Sequence, residues 1–323
     1  MTADEKSFFK NTQPWGFILF ARNVDSPEQV SDLVSELKAC VDQETVPILI
    51  DQEGGRVRRL RPPHWPDYHC GAVFGERCEK DKQEGLRFAW LQSRLMAFDL
   101  ANLGINVDCL PVLDVPVPGS HDVIGDRAYG IEPQSIIDIG RSASQGLLDG
   151  GVLPVIKHIP GHGRAGVDSH KSLPIVDASH DALSASDFKP FVALNDMPLA
   201  MTAHVVYSAL DADSPATTSR TMINDIIRGE IGFNGALMSD DLSMHALSGD
   251  FSERTKSAFA AGCDLVLHCN GVMEEMLPIA ENAPELTGKA LQRVEVATSL
   301  IGKSDSSNEN DLREEFEALS AGM

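Results

Sequence analysis

Seven short apolar runs recur along the chain, and a helix-length amphipathic segment follows each of them. Each run is apolar nearly throughout, which is typical of parallel strands that are buried on both faces. The runs cover residues 16–23, 46–54, 104–114, 152–158, 199–207, 235–243 and 264–270. The intervening and following segments predict helices over 27–44, 83–103, 133–150, 187–195, 221–230, 252–262, 272–282 and 286–302. This alternation indicates consecutive βα units.

The number of βα units favours a (β/α)8 TIM barrel, formed as a single domain by residues 1–303. Thr2 and Glu5 have the spacing of a capping box, so the chain is expected to open directly in a helix. A closed barrel needs eight strands, so either the count is one short or the first strand is absent from this chain. An open doubly wound sheet is the weaker alternative, because it would concentrate the polar strand ends at one switch point. Residues 304–323 predict a polar tail with a short helix over 312–319.

Composition narrows the class of protein without identifying a substrate. A net charge of −21 disfavours binding to nucleic acid, whose phosphates need a basic surface. The first ten residues lack the apolar core of a signal peptide, and no segment is apolar enough to span a membrane. The six cysteines form no Cys-x-x-Cys pair and are interpreted as reduced thiols. We therefore expect a cytoplasmic protein that binds neither nucleic acid nor membrane.

Polar residues follow the apolar runs, and in a TIM barrel the carboxyl ends of the strands form the active site. A purely structural protein has no need for polar groups at the same end of most strands. The residues concerned are Arg22, Asp51, Glu53, Asp114, Lys157, His158, His204, Asp240, Asp241 and His268.

The densest group of titratable residues lies in the segment 157–170, KHIPGHGRAGVDSH. Its proline and glycines exclude a long helix, so the polar residues are expected on a loop after the fourth run. Asp168 and His170 are one residue apart, which in an extended loop places both side chains on one side. A carboxylate beside an imidazole favours the imidazolium, as a general acid requires. Simple solvent exposure is the alternative for this pair. A metal site built from the segment's histidines is weaker, because no metal-binding spacing is present.

Two further segments predict groups that bind sugar hydroxyls. Asp51 opens DQEGGRVRR, in which two glycines allow a sharp turn before the arginines. A carboxylate accepts hydrogen bonds from vicinal hydroxyls and an arginine donates several. Arg127 lies in a similar loop. In both segments the alternative is a set of solvated surface charges. Asp240 and Asp241 are adjacent at a strand end, so only one of them can face the barrel axis.

The motifs DQEGGRV, IGDRAYG, KHIPGHG followed by DSH, AHVVY and SDDLSM occur in this order between residues 51 and 244. With these motifs in this order, the chain resembles glycoside hydrolase family 3 over about residues 16 to 300. Within that family it is most similar to the single-domain bacterial β-N-acetylglucosaminidases (β-hexosaminidases) of peptidoglycan recycling. The resemblance implies a TIM barrel without the second domain that is common among the family's glucosidases.

The resemblance also implies a role for each site residue. Asp240 is expected to be the nucleophile, with Asp241 as support, and His170 the acid/base, partnered by Asp168 on a mobile loop. The expected ligands of the N-acetylglucosamine ring are Asp51, Arg59, Arg127, Lys157 and His158. The expected substrate is a muropeptide fragment, with no cofactor and no metal, and protein partners are not predicted.

The chain departs from the family pattern at two positions near the site. Ile159 stands where a phenylalanine is common, and Asp126 where an asparagine is usual; neither change removes a reacting group. The missing first strand is the larger departure, and it leaves a non-catalytic sugar-binding barrel as one alternative function. A phosphorolytic enzyme is the other, because a histidine in place of an anionic acid/base lessens repulsion toward phosphate.

Overall fold

A computed structural model describes residues 1–169 and 172–321 of the protein. It contains nine strands, which are β1 Phe17–Leu19, β2 Ile48–Ile50, β3 Val107–Asp108, β4 Leu153–Ile159, β5 Ile175–Val176, β6 Leu199–Thr202, β7 Val206–Tyr207, β8 Ala236–Asp241 and β9 Leu265–Leu267. The α-helices are α1 Ala3–Thr12, α2 Pro27–Lys38, α3 Gly71–Lys80, α4 Lys82–Asn102, α5 Pro133–Asp149, α6 His180–Ala185, α7 Lys189–Ala193, α8 Phe251–Ala261, α9 Met273–Asn282, α10 Gly288–Thr298 and α11 Glu309–Ser320. A π-helix spans Met222–Glu230.

The contacts divide the chain into two compact units. The first unit consists of Met1–Pro111, Arg141–Pro154 and Thr298–Met323, and the second consists of Val112–Gly140 and Val155–Ala297. Strand β4 begins in the first unit and continues in the second.

In the first unit, β1, β2, β3 and the start of β4 are hydrogen-bonded in that order, and all run parallel. Ile48 and Ile50 of β2 are fully buried, which explains the apolar character of this run on both faces. Helix α4 lies in the same unit. Its amino terminus is capped by Asp81, whose carboxylate accepts hydrogen bonds from the backbone N–H groups of Gln83 and Glu84.

In the second unit, the rest of β4 pairs with β6, β6 with β8, and β8 with β9, again all in parallel. Strand β4 is buried at every position, and the first four residues of β8 are buried as well. Strand β8 ends in Asp240 and Asp241, and Lys157 and His158 stand just before the last residue of β4. Strands β5 and β7 form a separate two-stranded parallel pair.

The seven apolar runs all contain a strand of the parallel sheet, so the predicted βα alternation is confirmed. The capping box at the first helix is confirmed too: Thr2 Oγ1 accepts from the Glu5 N–H at 3.1 Å, and the Glu5 carboxylate accepts from the Thr2 N–H at 2.7 Å. The protein thus has an α/β fold with a parallel sheet. Closure into an eight-stranded barrel and the domain boundary at residue 303 stay predictions.

Several helix predictions need correction. Helix α3 was not predicted, because its two buried glycines, Gly71 and Gly75, weaken the local signal and its packing against α4 supplies the stability. The segment predicted as one helix over 187–195 contains only the short α7, with α6 before it. Among the described residues, no helix combines the length and apolar character needed to cross a membrane.

The polar segment after residue 303 is largely exposed, as predicted, but it is not an untethered linker. The Asp305 N–H donates to the Asp149 carbonyl at 2.7 Å, and the Asp305 carboxylate accepts from Arg94, whose side chain is 2% exposed. The predicted terminal helix is confirmed as α11, which starts at Glu309 because Asn308 caps it.

Candidate active site

Lys157 and His158 lie near the carboxyl end of strand β4, just before Ile159, and both are buried. The partner of His158 is Asp114, which follows the third apolar run. Its Oδ2 accepts the Nδ1–H of His158 at 2.7 Å, and its Oδ1 accepts the His158 backbone N–H at 3.1 Å. The same Oδ1 accepts the backbone N–H of His162 at 2.6 Å. One carboxylate therefore fixes the end of β4 and the first turn of the loop that follows.

Asp114 is ionised in the folded protein despite its complete burial. Burial by itself raises the pKa of this carboxyl, but the charge and hydrogen bonds of His158, with a contribution from His162, outweigh it and lower the pKa to about 2. Because the carboxylate accepts from Nδ1, His158 keeps Nε2 as the ring nitrogen that can face a ligand.

His162 extends this arrangement into the loop. Its ring packs edge-on against the His158 ring at a centroid distance of 5.8 Å, and its Nε2 lies 3.1 Å from Ser169 Oγ. Burial lowers the pKa of His162 to about 4, so the ring is neutral near pH 7. Within residues 1–169 and 172–321, its Nδ1 has no hydrogen-bond partner. That nitrogen is therefore best assigned as the unprotonated one, with Nε2–H donating to Ser169.

Three contacts hold the base of the loop. Arg164 Nε donates to Asp187 Oδ2 at 2.7 Å, and the Asp187 side chain is fully buried. The Tyr207 hydroxyl donates to the Gly161 carbonyl at 2.6 Å. Gly163 has no room for a side chain, since a Cβ there would lie 2.0 Å from the Val115 carbonyl oxygen. The backbone from residue 161 to 164 is thus closely packed.

Of the predicted acid/base pair, Asp168 and His170, the structure describes Asp168. Asp168 is half-buried, and its carbonyl accepts the Ser172 N–H at 3.1 Å. His170 lies outside the described residues, so its predicted role as the acid/base stays a prediction. The neighbouring Ser169 is 3% exposed and is the residue that contacts His162.

The two aspartates at the end of β8 differ in their surroundings. The Asp241 carboxylate accepts from the backbone N–H groups of Ser243 and Cys269, at 2.9 and 3.1 Å, and from the Ser243 hydroxyl. The Asp240 carboxylate instead accepts the Asp241 N–H, at 2.8 Å through Oδ1. Asp241 therefore serves the local backbone, and its N–H orients Asp240.

Arg127 ends a 3-10 turn, Gly125–Arg127, in the second unit. The turn is anchored by Ile124 and Ala128, which pack with Val112 in a small buried apolar cluster. The guanidinium is half-buried, and its Nη1 donates to the Val123 carbonyl at 3.2 Å. The packed turn and this hydrogen bond position the Arg127 side chain, unlike that of an arginine that is simply solvated at the surface.

The first unit contains the other two predicted sugar ligands, Asp51 and Arg59. Arg59 Nη2 donates to Asp51 Oδ2 at 2.8 Å, and the guanidinium stacks over the Phe20 ring at 5.0 Å. Gln52 folds the intervening turn by accepting from the N–H groups of Arg59 and Leu60, both at 3.0 Å. The turn needs glycine, because Gly54 has φ +93° and its Cβ would lie 2.1 Å from the His69 carbonyl.

Sequence reasoning left four functional positions unassigned. Asp114 and His204 were noted only as polar strand ends, while Asp187 and His162 were given no role in catalysis. Each of them bonds a residue far away in the sequence, so the motifs that contain His162 and His204 mark these residues without showing what they contact. The signal that was available was the position of Asp114 and His204 directly after apolar runs.

No group of three or more histidine, cysteine or acidic side chains among the described residues has an arrangement that could hold a metal ion.

Comparison with known proteins identifies the family. Residues 1–299 match the model of the glycosyl hydrolase family 3 N-terminal domain. The chain is 37% identical to a β-hexosaminidase of Alkalilimnicola ehrlichii over 84% of this chain and 78% of that protein. It is 35% identical to a β-hexosaminidase of Idiomarina loihiensis over 91% of this chain and 88% of that protein.

Solved structures agree in fold. Native NagZ from Neisseria gonorrhoeae matches with a TM-score of 0.84 and 32% identity, over 99% of this chain and 93% of that one. A family 3 β-N-acetylglucosaminidase from a Paenibacillus species also matches with a TM-score of 0.84, at 28% identity, over 99% of this chain and 65% of that one. The chain therefore belongs to glycoside hydrolase family 3 and is a glycoside hydrolase of the β-hexosaminidase type.

Proposed function

We propose that the protein is a retaining exo-β-N-acetylglucosaminidase of cell-wall recycling that acts in the cytoplasm. Its substrates are peptidoglycan fragments, namely N-acetylglucosaminyl-1,6-anhydro-N-acetylmuramic acid and its peptides, from which it removes the non-reducing terminal N-acetylglucosamine. The similarity to proteins named β-hexosaminidase and NagZ supports the release of N-acetylglucosamine, and the choice of peptidoglycan fragments is part of the proposal. The observation that carries the proposal is the difference between the two acids at the end of β8. The Asp241 carboxylate accepts hydrogen bonds from the backbone N–H groups of Ser243 and Cys269, whereas the Asp240 carboxylate accepts the Asp241 N–H.

In the first step, an Asp240 carboxylate oxygen bonds to the anomeric carbon as the bond to the departing oxygen breaks. His170, whose imidazolium form Asp168 favours, donates its proton to that oxygen. In the second step, water attacks the anomeric carbon, His170 accepts the proton of the water, and the bond to Asp240 breaks. These two displacements retain the anomeric configuration.

The proposed ligands of the N-acetylglucosamine ring are Asp51, Arg59, Arg127, Lys157 and His158. Asp114 holds His158 with its Nδ1–H engaged, which leaves Nε2 to contact a sugar hydroxyl. The Asp51–Arg59 pair combines an acceptor and a donor for vicinal hydroxyls.

The test compares a chromogenic β-N-acetylglucosaminide with the matching β-glucoside, and then muropeptide fragments with chito-oligosaccharides. We expect the wild type to prefer the first substrate of each pair. Asp240→Ala should reduce turnover by roughly 10⁴-fold or more, because the nucleophile is lost. Preference for the glucoside, or for chito-oligosaccharides over muropeptides, would contradict the substrate proposal.

The same assay separates the acid/base role from the nucleophile. His170→Ala should slow substrates with poor leaving groups by roughly 10²- to 10⁴-fold and activated aryl glycosides much less, because only the former need a proton. Equal losses on both would exclude His170 as the acid. Product analysis with added phosphate distinguishes hydrolysis from phosphorolysis, which would yield a sugar phosphate.

A further inference from the structure

Behind the two aspartates of β8 lies a buried chain of side-chain hydrogen bonds that the proposed mechanism does not use. His204, from the AHVVY motif, places its Nε2 3.0 Å from the Asp241 carbonyl oxygen and its Nδ1 2.6 Å from Thr217 Oγ1. Thr217 Oγ1 lies 2.8 Å from Thr202 Oγ1. The residues His204, Thr217 and Thr202 each have a relative exposure of 0%. We name these three residues the His204 relay.

The direction of each hydrogen bond follows from the acceptors. A carbonyl oxygen can only accept, so the His204 Nε2 must carry a proton and donate to Asp241. Burial lowers the pKa of His204, although the nearby Asp240 opposes this shift, so the ring is neutral and carries one proton. Its Nδ1 is therefore an acceptor, and the Thr217 hydroxyl donates to it at 2.6 Å in preference to the Ala203 carbonyl oxygen, which lies farther away at 3.2 Å. Because that hydroxyl has one proton, the Thr202 hydroxyl in turn donates to Thr217 Oγ1.

The far end of the relay is built into the fold. Thr217 lies in a 3-10 turn, Ala216–Thr218, whose first N–H donates to the Val205 carbonyl at 2.8 Å. Thr202 is the last residue of β6, which pairs with β8. The relay thus connects the 3-10 turn and the end of β6 to the carbonyl of Asp241, the residue after the candidate nucleophile.

We propose that His204 is a positioning residue for the nucleophile Asp240, acting through Asp241, with Thr217 setting the ring tautomer that this task requires. The Asp241 backbone is then held at both ends, because its N–H donates to Asp240 Oδ1 and its carbonyl accepts from His204. Fixing this residue fixes the Asp240 carboxylate for in-line attack on the anomeric carbon. This inference rests on the proposed role of Asp240.

The test uses Thr217→Val, which removes the hydroxyl and keeps the side-chain shape, and Thr217→Ser, which retains the hydroxyl. Turnover is measured with 2,4-dinitrophenyl β-N-acetylglucosaminide, whose leaving group needs no proton and so reports the nucleophile. We expect Thr217→Val to lower kcat/KM by roughly 10- to 100-fold, as misplacement of a reacting group does. The inhibition constant of N-acetylglucosamine should stay close to that of the wild type, and Thr217→Ser should recover most of the activity.

Thr255→Val is the matched control. Thr255 is equally buried, and its hydroxyl donates to the Phe251 carbonyl within helix α8. This variant should lose stability without losing kcat/KM.

The inference is overturned if Thr217→Val keeps wild-type kcat/KM, if it weakens N-acetylglucosamine binding as much as it slows turnover, or if Thr255→Val is equally slow. An active Asp240→Ala enzyme would overturn the proposed nucleophile and this inference with it, whereas an inactive one with normal Thr217→Val overturns the inference alone.

Discussion

At the scale of single residues, the second unit places neutral and ionised groups side by side. Asp114 stays ionised because two backbone N–H groups and the His158 ring donate to it. His162 stays neutral because it is buried and its ring has only the Ser169 hydroxyl as a partner among the described residues. The surroundings of each group, rather than its residue type, therefore decide whether it is charged near pH 7.

The neutral state of His162 predicts a dependence of stability on pH. The folded protein resists protonation of this ring down to about pH 4, while the unfolded chain binds a proton below its ordinary pKa of 6.5. The folded state should therefore lose stability as the pH falls from 6.5 toward 4, by about 3 kcal/mol at most from this group. Urea unfolding of the wild type and of His162→Gln across this range measures the difference, since the amide cannot be protonated there.

The variant should show a shallower loss of stability over that pH range, and the two curves should converge in slope above pH 7. Parallel curves throughout would mean that the ring is not kept neutral by the fold. The amide nitrogen of glutamine can replace Nε2 in the hydrogen bond to Ser169, so the comparison isolates the proton.

At the scale of elements, the loop between β4 and β5 divides into two parts. Residues 161 to 164 are packed against Val115 and tied to Asp187 and Tyr207. Asp168 and Ser169 lie beyond Gly166, whose Cβ position meets nothing within 4 Å among the described residues. The first part is therefore closely packed, and the second part carries Asp168 of the proposed acid/base pair.

The Arg164–Asp187 ion pair should dominate the stability of this element. Burial raises the pKa of Asp187 while Arg164 opposes that rise, so removal of the arginine leaves an uncompensated acid. Arg164→Met should cost about 3 kcal/mol of unfolding free energy, measured by urea denaturation. The double variant Arg164→Met/Asp187→Asn should be more stable than the single one, because the amide has no charge to bury. Equal stabilities would show that the pair contributes through packing alone.

At the scale of the whole molecule, the first unit is assembled from three separate segments of the chain. The last segment returns as α11, and Phe316 stacks on Phe88 of α4 at a centroid distance of 5.0 Å. Arg313 pairs with Asp99 at 2.6 Å and Arg87 with Glu315 at the same distance. The carboxyl-terminal residues are therefore part of the packed structure of this unit, although their composition is polar.

Truncation of Phe316 tests this role. Phe316→Ala should lower the free energy of unfolding by about 3 kcal/mol, because it removes a buried ring that contacts Tyr68, His69 and Phe88. Glu317→Ala, at an exposed position of the same helix, is the control and should change stability by less than about 0.5 kcal/mol. Thermal unfolding of both variants provides the comparison. Similar values for the two would mean that α11 only rests on the surface.

Much of the fold could be predicted from the sequence, because burial of a parallel strand on both faces leaves a local apolar run. All seven runs became strands of the parallel sheet, and the capping boxes and caps depend on residues within one turn. Helix α3 could not be predicted in this way, since its stability comes from packing on α4 rather than from its own residues.

The sequence by itself determined which residue types stand at the strand ends, and the motifs they form pointed to the family. Only the tertiary structure decided what each of them does to its neighbours. Asp114 meets His158 across 44 residues, and His204 meets Asp241 across 37. Such pairs depend on the register of the strands and on the path of the chain after each strand ends, which no local pattern encodes. For that reason the sequence identified the two acids at the end of β8, and the hydrogen bonds distinguished them. Asp241 bonds the local backbone, and its N–H orients Asp240.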